Sequence, residues 1–266
     1  MGLRRGHRWW VAVAVTATAA TASACGGTTA GGSGGAASGA AGGTANGAGG
    51  GPANFSSNEL FPAHLGDSWE YKIHGAAGTQ TLDTKFNVSG ESAIAGGKAV
   101  TFHTVVTIPS SSTPITRDLQ YQFLDDGTVK FDYGSLLSSS SGGSATGSVT
   151  TAVVPSAQDI MAGTSKPFSN SATITEPNST SIQVAVSGTA QGAGLESVSE
   201  LGRSLNAQKV TIHLNETETI GSGSPIHLTF TLTMWLVKGI GIVKESLSNA
   251  TSTVGVVDLV ATNLSG

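Results

Sequence analysis

From Ile226 to Val237 the chain alternates without a break. Ile226, Leu228, Phe230, Leu232, Met234 and Leu236 fall on one side, and His227, Thr229, Thr231, Thr233 and Trp235 on the other. Side chains of an extended strand point by turns to opposite faces, so this period sets the large apolar groups against a core and the hydroxyls outward. The same period returns at Trp69, Tyr71 and Ile73, at Leu82, Thr84, Phe86 and Val88, and at Leu119, Tyr121 and Phe123. Asp125-Asp126-Gly127 and Lys238-Gly239-Ile240-Gly241 supply the turns between neighbouring strands. The pattern predicts a mainly β domain: a curved antiparallel sheet, half-barrel or sandwich-like, with one or two short helices. Helical spacing is confined to Ser156–Met161 and Leu195–Leu205.

Two halves of this region echo one another. Val88-Ser89-Gly90, Val100-Thr101-Phe102-His103 and Thr128-Val129-Lys130 recur in order as Val186-Ser187-Gly188, Val210-Thr211-Ile212-His213 and Ile242-Val243-Lys244. A duplication would predict two similar antiparallel units, while chance recurrence of short β motifs is the alternative.

The N-terminal part follows different rules. Arg4, Arg5 and Arg8 form a cationic tip, Trp9 to Ala19 an apolar stretch, and Ala22, Ser23 and Ala24 a run of small side chains. That order is the order of a secretory signal, and the apolar run falls short of the roughly 20 residues that span a bilayer. Residues 26–54 are almost all Gly, Ala, Ser, Thr and Asn, with too little apolar surface to offset ordering entropy. They are expected to be a disordered leash with a root-mean-square span of roughly 30 Å. The predicted organisation is a signal peptide over 1–24, a modified cysteine and leash over 25–54, and a β-rich extracytoplasmic domain over 55–266.

Cys25, the one cysteine of the chain, follows the small residues directly. Ala22-Ser23-Ala24-Cys25-Gly26-Gly27 resembles the lipobox of bacterial lipoproteins, which implies cleavage between Ala24 and Cys25 and acylation of the cysteine. It also implies a protein lipid-anchored to the bilayer through Cys25, on the extracytoplasmic face of a cell membrane. That family usually carries leucine three residues before the cysteine, where this chain has Ala22. Ordinary cleavage after Ala24, leaving a free thiol or an intermolecular disulfide, is the alternative. Two acyl chains, at about 0.8 kcal/mol per buried methylene, hold a protein stably where one does so only marginally.

A second resemblance rests on Leu60-Phe61-Pro62-Ala63-His64-Leu65-Gly66-Asp67-Ser68-Trp69-Glu70-Tyr71 and on the Lys238–Lys244 core of Trp235–Glu245. These stretches are similar to the opening and closing segments of uncharacterised bacterial envelope lipoproteins, with the TapB-like group the nearest. The resemblance implies a half-barrel like that of the envelope carriers LolA and LolB, and no established activity. Trp69, Tyr71 and Trp235 are the candidate ligand-face or core residues.

No catalytic chemistry assembles from the remaining motifs. The thirteen Lys and Arg include three that leave with residues 1–24, so ten oppose seventeen Asp and Glu for a mature net charge of −7, which offers no basic face to nucleic acid. The mature histidines, at positions 64, 74, 103, 213 and 227, lack metal-ligand spacing. Asp125-Asp126 sits in a turn context, Gly96-Gly97-Lys98 lacks the rest of a phosphate loop, and Gly31–Gly35 matches a nucleophile elbow only by composition. No cofactor, metal or catalytic residue is expected. What is left is a non-catalytic binding or interaction module, its partner an envelope protein, or alternatively a carrier sheltering an apolar ligand or lipid, with an enzyme whose catalytic groups no sequence motif marks as the third alternative.

Overall fold

The computed structural model describes residues 60–75, 81–109, 112–132, 144–146, 150–175 and 180–265. In chain order the strands are β1 (Ser68–Gly75), β2 (Thr81–Ile94), β3 (Gly97–Thr107), β4 (Ile115–Leu124), β5 (Val129–Asp132), β6 (Ser144–Thr146) and β7 (Thr150–Val154). One short helix among the described residues, α1 (Ala157–Ala162), follows. Then come β8 (Lys166–Thr175), β9 (Ser181–Glu200), β10 (Arg203–Ile220), β11 (Ile226–Val237), β12 (Gly241–Ser248) and β13 (Thr253–Thr262).

All thirteen strands form one antiparallel sheet in the order β6-β8-β9-β10-β11-β12-β13-β1-β2-β3-β4-β5-β7. Two meanders are joined by β13 against β1, with Trp69 opposite Thr262 and Gly75 opposite Gly255. The ladder does not close into a barrel among the described residues, since β6 and β7 end it. It curls instead. β12 and β4 are five ladder steps apart, a separation of about 24 Å in a flat sheet, yet the Glu245 carboxylate on β12 faces Tyr121 on β4 closely enough to raise its pKa, after burial the second cause.

The expected alternation is what the strands carry out. Trp69, Tyr71 and Ile73 are buried on the inner face, as are Leu82, Thr84, Phe86 and Val88, then Leu119, Tyr121 and Phe123. Phe230, Leu232, Met234 and Leu236 do the same on β11. Facing rings interlock across the concavity: Phe102 lies 5.0 Å from Tyr121 edge-on, and Trp69 lies 5.9 Å from Phe102. The 60–63 segment plugs one end, with Phe61 5.7 Å from Phe123 and 6.5 Å from Phe102.

Of the two helix expectations, one is met. Ser156 caps α1 by accepting from Asp159 N, and Gly163 ends it in the left-handed region. Leu195–Leu205, by contrast, is the end of β9, a Leu201-Gly202 turn and the start of β10. The apolar spacing there is helical in sequence, but cross-strand pairing of Val198 with Leu205 decides the conformation, and both are buried. Leu201 (φ 56°) and Gly202 (φ 70°) take the backbone that a two-residue hairpin needs.

The echoed motifs fall on matching strands of the two meanders, β2, β3 and β5 in one and β9, β10 and β12 in the other. Their registers differ, because Val88 pairs with Phe102 whereas Val186 pairs with Glu216, four residues beyond Ile212. The likeness extends to strand order and stops short of residue pairing.

Candidate functional site

The two motifs that bracket the domain meet on the inner face. Trp69 donates its indole N–H to the Ile240 carbonyl at 2.7 Å, and the Tyr71 hydroxyl donates to the Ile242 carbonyl at 2.9 Å, both buried. Ile240 is fully buried in the β11–β12 turn, where Gly239 (φ 78°) and Gly241 (φ 95°) supply the backbone. A Cβ on Gly241 would sit 3.5 Å from Pro62 and 3.7 Å from Trp69 Nε1, so the opening segment lies flat on that glycine. Lys98, 6% exposed at its side chain, completes the clamp by donating to Ala63 O and to Glu91 Oε1. The lysine of the abandoned phosphate-loop motif is thus a structural strut, and Gly97 before it is required because a Cβ would strike the Phe123 carbonyl.

Little room remains inside the clamp. The space between Phe61, Trp69, Tyr71, Phe86, Phe102 and Ile242 amounts to about 20 Å³, enough for one water and far below the several hundred that a drug-sized ligand or acyl chain needs. Trp69 and Tyr71 are therefore core. Burial, then the charge of Glu245, pushes the Tyr71 hydroxyl well above the usual phenol range, so it remains a donor.

Two acids occupy the inner face that sequence reading passed over. Glu245 is 1% exposed between Val243 and Leu247. Glu216, 7% exposed, follows Ile212 and Leu214 in the same phase of β10, opposite Val186 and Leu228. Desolvation, helped by nearby Glu218, pushes Glu216 up to about 8. Both sit in the apolar register of their strands, which is the signal that could have marked them.

Trp235 faces the other way. It stands half-buried on the outer side of β11, with Lys209 Nζ 5.5 Å above its ring, and Lys209, helped by the Trp235 indole N–H, holds the Glu196 carboxyl below its usual range. Over this side folds the outer half of the β9–β10 hairpin, which bends at a bulge between Gln208 and Val210. Lys244 Nζ binds Glu200 Oε1 at 3.0 Å, from the hairpin tip, and Asp258 Oδ1 at 2.8 Å, from β13. Burial alone would lower the Lys244 pKa, and these two partners more than offset it and raise it. Lys209 holds Glu196 Oε2 at 2.9 Å in the same strap.

The histidines do not converge. His103 pairs with Asp118 at 2.8 Å, His64 with Asp67 at 3.3 Å, and His213 and His227 bond threonines on exposed faces. Among the described residues no three His, Cys, Asp or Glu side chains come together as a metal set. Asp126 serves the expected turn, its Oδ1 accepting from Thr128 N at 2.8 Å. Ala24 and Cys25 lie outside the described residues, as do the signal and leash expectations. No helix among the described residues is long and apolar enough to cross a membrane.

No family model matches the chain, and no curated protein does. Solved structures are similar in fold. A chain described as a candidate lipoprotein of Parabacteroides distasonis matches with a TM-score of 0.57 at 16% identity, over 77% of this chain and 98% of that one. A candidate exported protein of Bacteroides fragilis with a YmcC-like fold gives 0.45 at 12% identity, over 76% and 98%. The hypothetical lipoprotein YmcC of Escherichia coli gives 0.33 at 11%, over 78% and 90%. The first likeness establishes a shared open β architecture along nearly the whole of that neighbour; the other two are too remote to add to it.

Proposed function

We propose that this chain is an envelope lipoprotein, held to the outer side of a cell membrane by acylated Cys25, whose β domain is a non-catalytic binding module. The observation that carries the second half is the packing of the concave face around the clamp: the aromatic rings and the 60–63 plug leave about 20 Å³ in the space they line. A carrier would need an unfilled apolar chamber. An enzyme would need a nucleophile, a base and an orienting group brought together, and the inner face brings together hydrogen bonds that fasten backbone. The lipobox-like Ala22–Gly27 supports the anchor, and so does the lipoprotein description of the structural neighbour from Parabacteroides distasonis.

Native mass spectrometry of the full chain, released from detergent, tests the choice between module and carrier. The expected spectrum shows the covalent acyl groups and no further lipid. A stoichiometric lipid retained beyond them would replace the module with the carrier.

A further inference from the structure

Where the sheet stays open, the β4–β5 turn, α1 and the start of β8 enclose a cleft of about 400 Å³. That is the size of a small-molecule site. Asp126 and Thr128 line it from the turn, Ser156, Gln158 and Asp159 from the helix side, and Lys166 from β8. Pro155 and Pro167 add apolar ring faces.

The walls are set without a ligand. Ser156 Oγ donates to Asp159 Oδ2 at 2.8 Å, and Lys166 Nζ lies 3.2 Å from Asp159 Oδ1. The Ser156 bond leads, with Lys166, in holding the Asp159 carboxyl below its usual range, so it is an anion at neutral pH. The helix itself is pinned: Ile160 is 1% exposed, Gln191 Nε2 donates to Gly163 O at 2.9 Å, and Gly192 lies so close that a Cβ would strike the Ile160 carbonyl. On the opposite wall Gly127 packs against Ser156, with room for a Cβ only at 3.2 Å.

The charges do not balance. Lys166 answers Asp159, whereas Asp126 spends one carboxylate oxygen on Thr128 N and, among the described residues, forms no ion pair. Its second oxygen is left to accept from a donor in the cleft, with Gln158 and Thr128 as neutral hydrogen-bonding neighbours. We propose that this cleft binds a small amino sugar, its ammonium on Asp126, its hydroxyls on the Gln158 side and its C–H face on the prolines. The site deepens the binding-module reading and is independent of the packed concavity.

Saturation-transfer NMR and calorimetry with glucosamine, and with glucose as the neutral counterpart, on the full chain in detergent test it. Glucosamine should bind at least tenfold more tightly than glucose. Asp126→Asn, which keeps the oxygen that caps Thr128, should reduce glucosamine to the level of glucose. Gln158→Ala, at an exposed helix position, should weaken both sugars and serves if the turn variant misfolds. Absence of binding, equal binding of the two sugars, or glucosamine affinity unchanged in these variants would overturn the site. A negative result leaves the lipid-retention experiment, which reads the concavity, unaffected.

Discussion

Trp69 and Ile240 stand 171 residues apart in sequence and are joined by a buried 2.7 Å hydrogen bond. With Tyr71 on Ile242 it ties the first strand to the β11–β12 turn and the start of β12, across the intervening β13. A buried carbonyl left without its donor costs about 1–3 kcal/mol. Trp69→Phe should therefore lower unfolding free energy by at least that amount, because ring volume is lost as well, and Tyr71→Phe by about 1 kcal/mol. Urea denaturation of both variants and of the double variant measures this, and coupling between them should exceed zero since they brace one segment.

Glu216 makes stability depend on pH with a definite sign. Its folded-state value of about 8 lies above the roughly 4.3 of an unfolded glutamate. The folded state thus binds the proton more tightly, and the stabilisation is complete below the unfolded value. It is lost as pH rises through the folded one. Glu216→Gln should flatten this fall, matching the parent near pH 4 and exceeding it above pH 8 by roughly 3–5 kcal/mol as an upper bound. Denaturation curves across that range decide it.

The strap formed by the outer β9–β10 hairpin should depend on Lys244. Lys244→Met removes the cation shared by Glu200 and Asp258, leaving Asp258 with His74 at 3.6 Å. Hydrogen exchange should accelerate in residues 195–207 while β2 and β3 keep their protection. Trp235 emission should shift to the red as Lys209 and the strap lift from its ring. Uniform acceleration through the sheet would show that the strap is not an independent unit.

Cys25→Ser removes the sulfur to be acylated. The variant should appear in the soluble extracytoplasmic fraction or accumulate with its first 24 residues uncleaved, whereas unchanged membrane retention would refute the anchor. Mass analysis of the parent chain supplies the direct measurement.

The sheet was legible because its strands alternate over many residues, and a one-residue slip would turn the Trp69, Phe86 and Phe230 faces to water. Leu195–Leu205 misled because spacing is local, while the pairing that made it a hairpin is tertiary. The clamp was half visible: Gly239, Gly241, Trp69 and Tyr71 stood out, but nothing in their spacing says that the indole reaches the Ile240 carbonyl. Glu216 and Glu245 were hidden by their charge, which reads as solvent-facing until the strand phase is counted through them. The seam cleft draws residues from four separate segments, and no sequence window holds them together.

The pairing of β1 with β13 has a bearing on how the domain is assembled. Trp69 and Thr262 are partners that lie far apart in sequence, so the Trp69 strand keeps one open edge until Thr253–Thr262 is there to cover it. Each meander can form from neighbouring hairpins, and their union is the contact that closes the longest loop of the sheet.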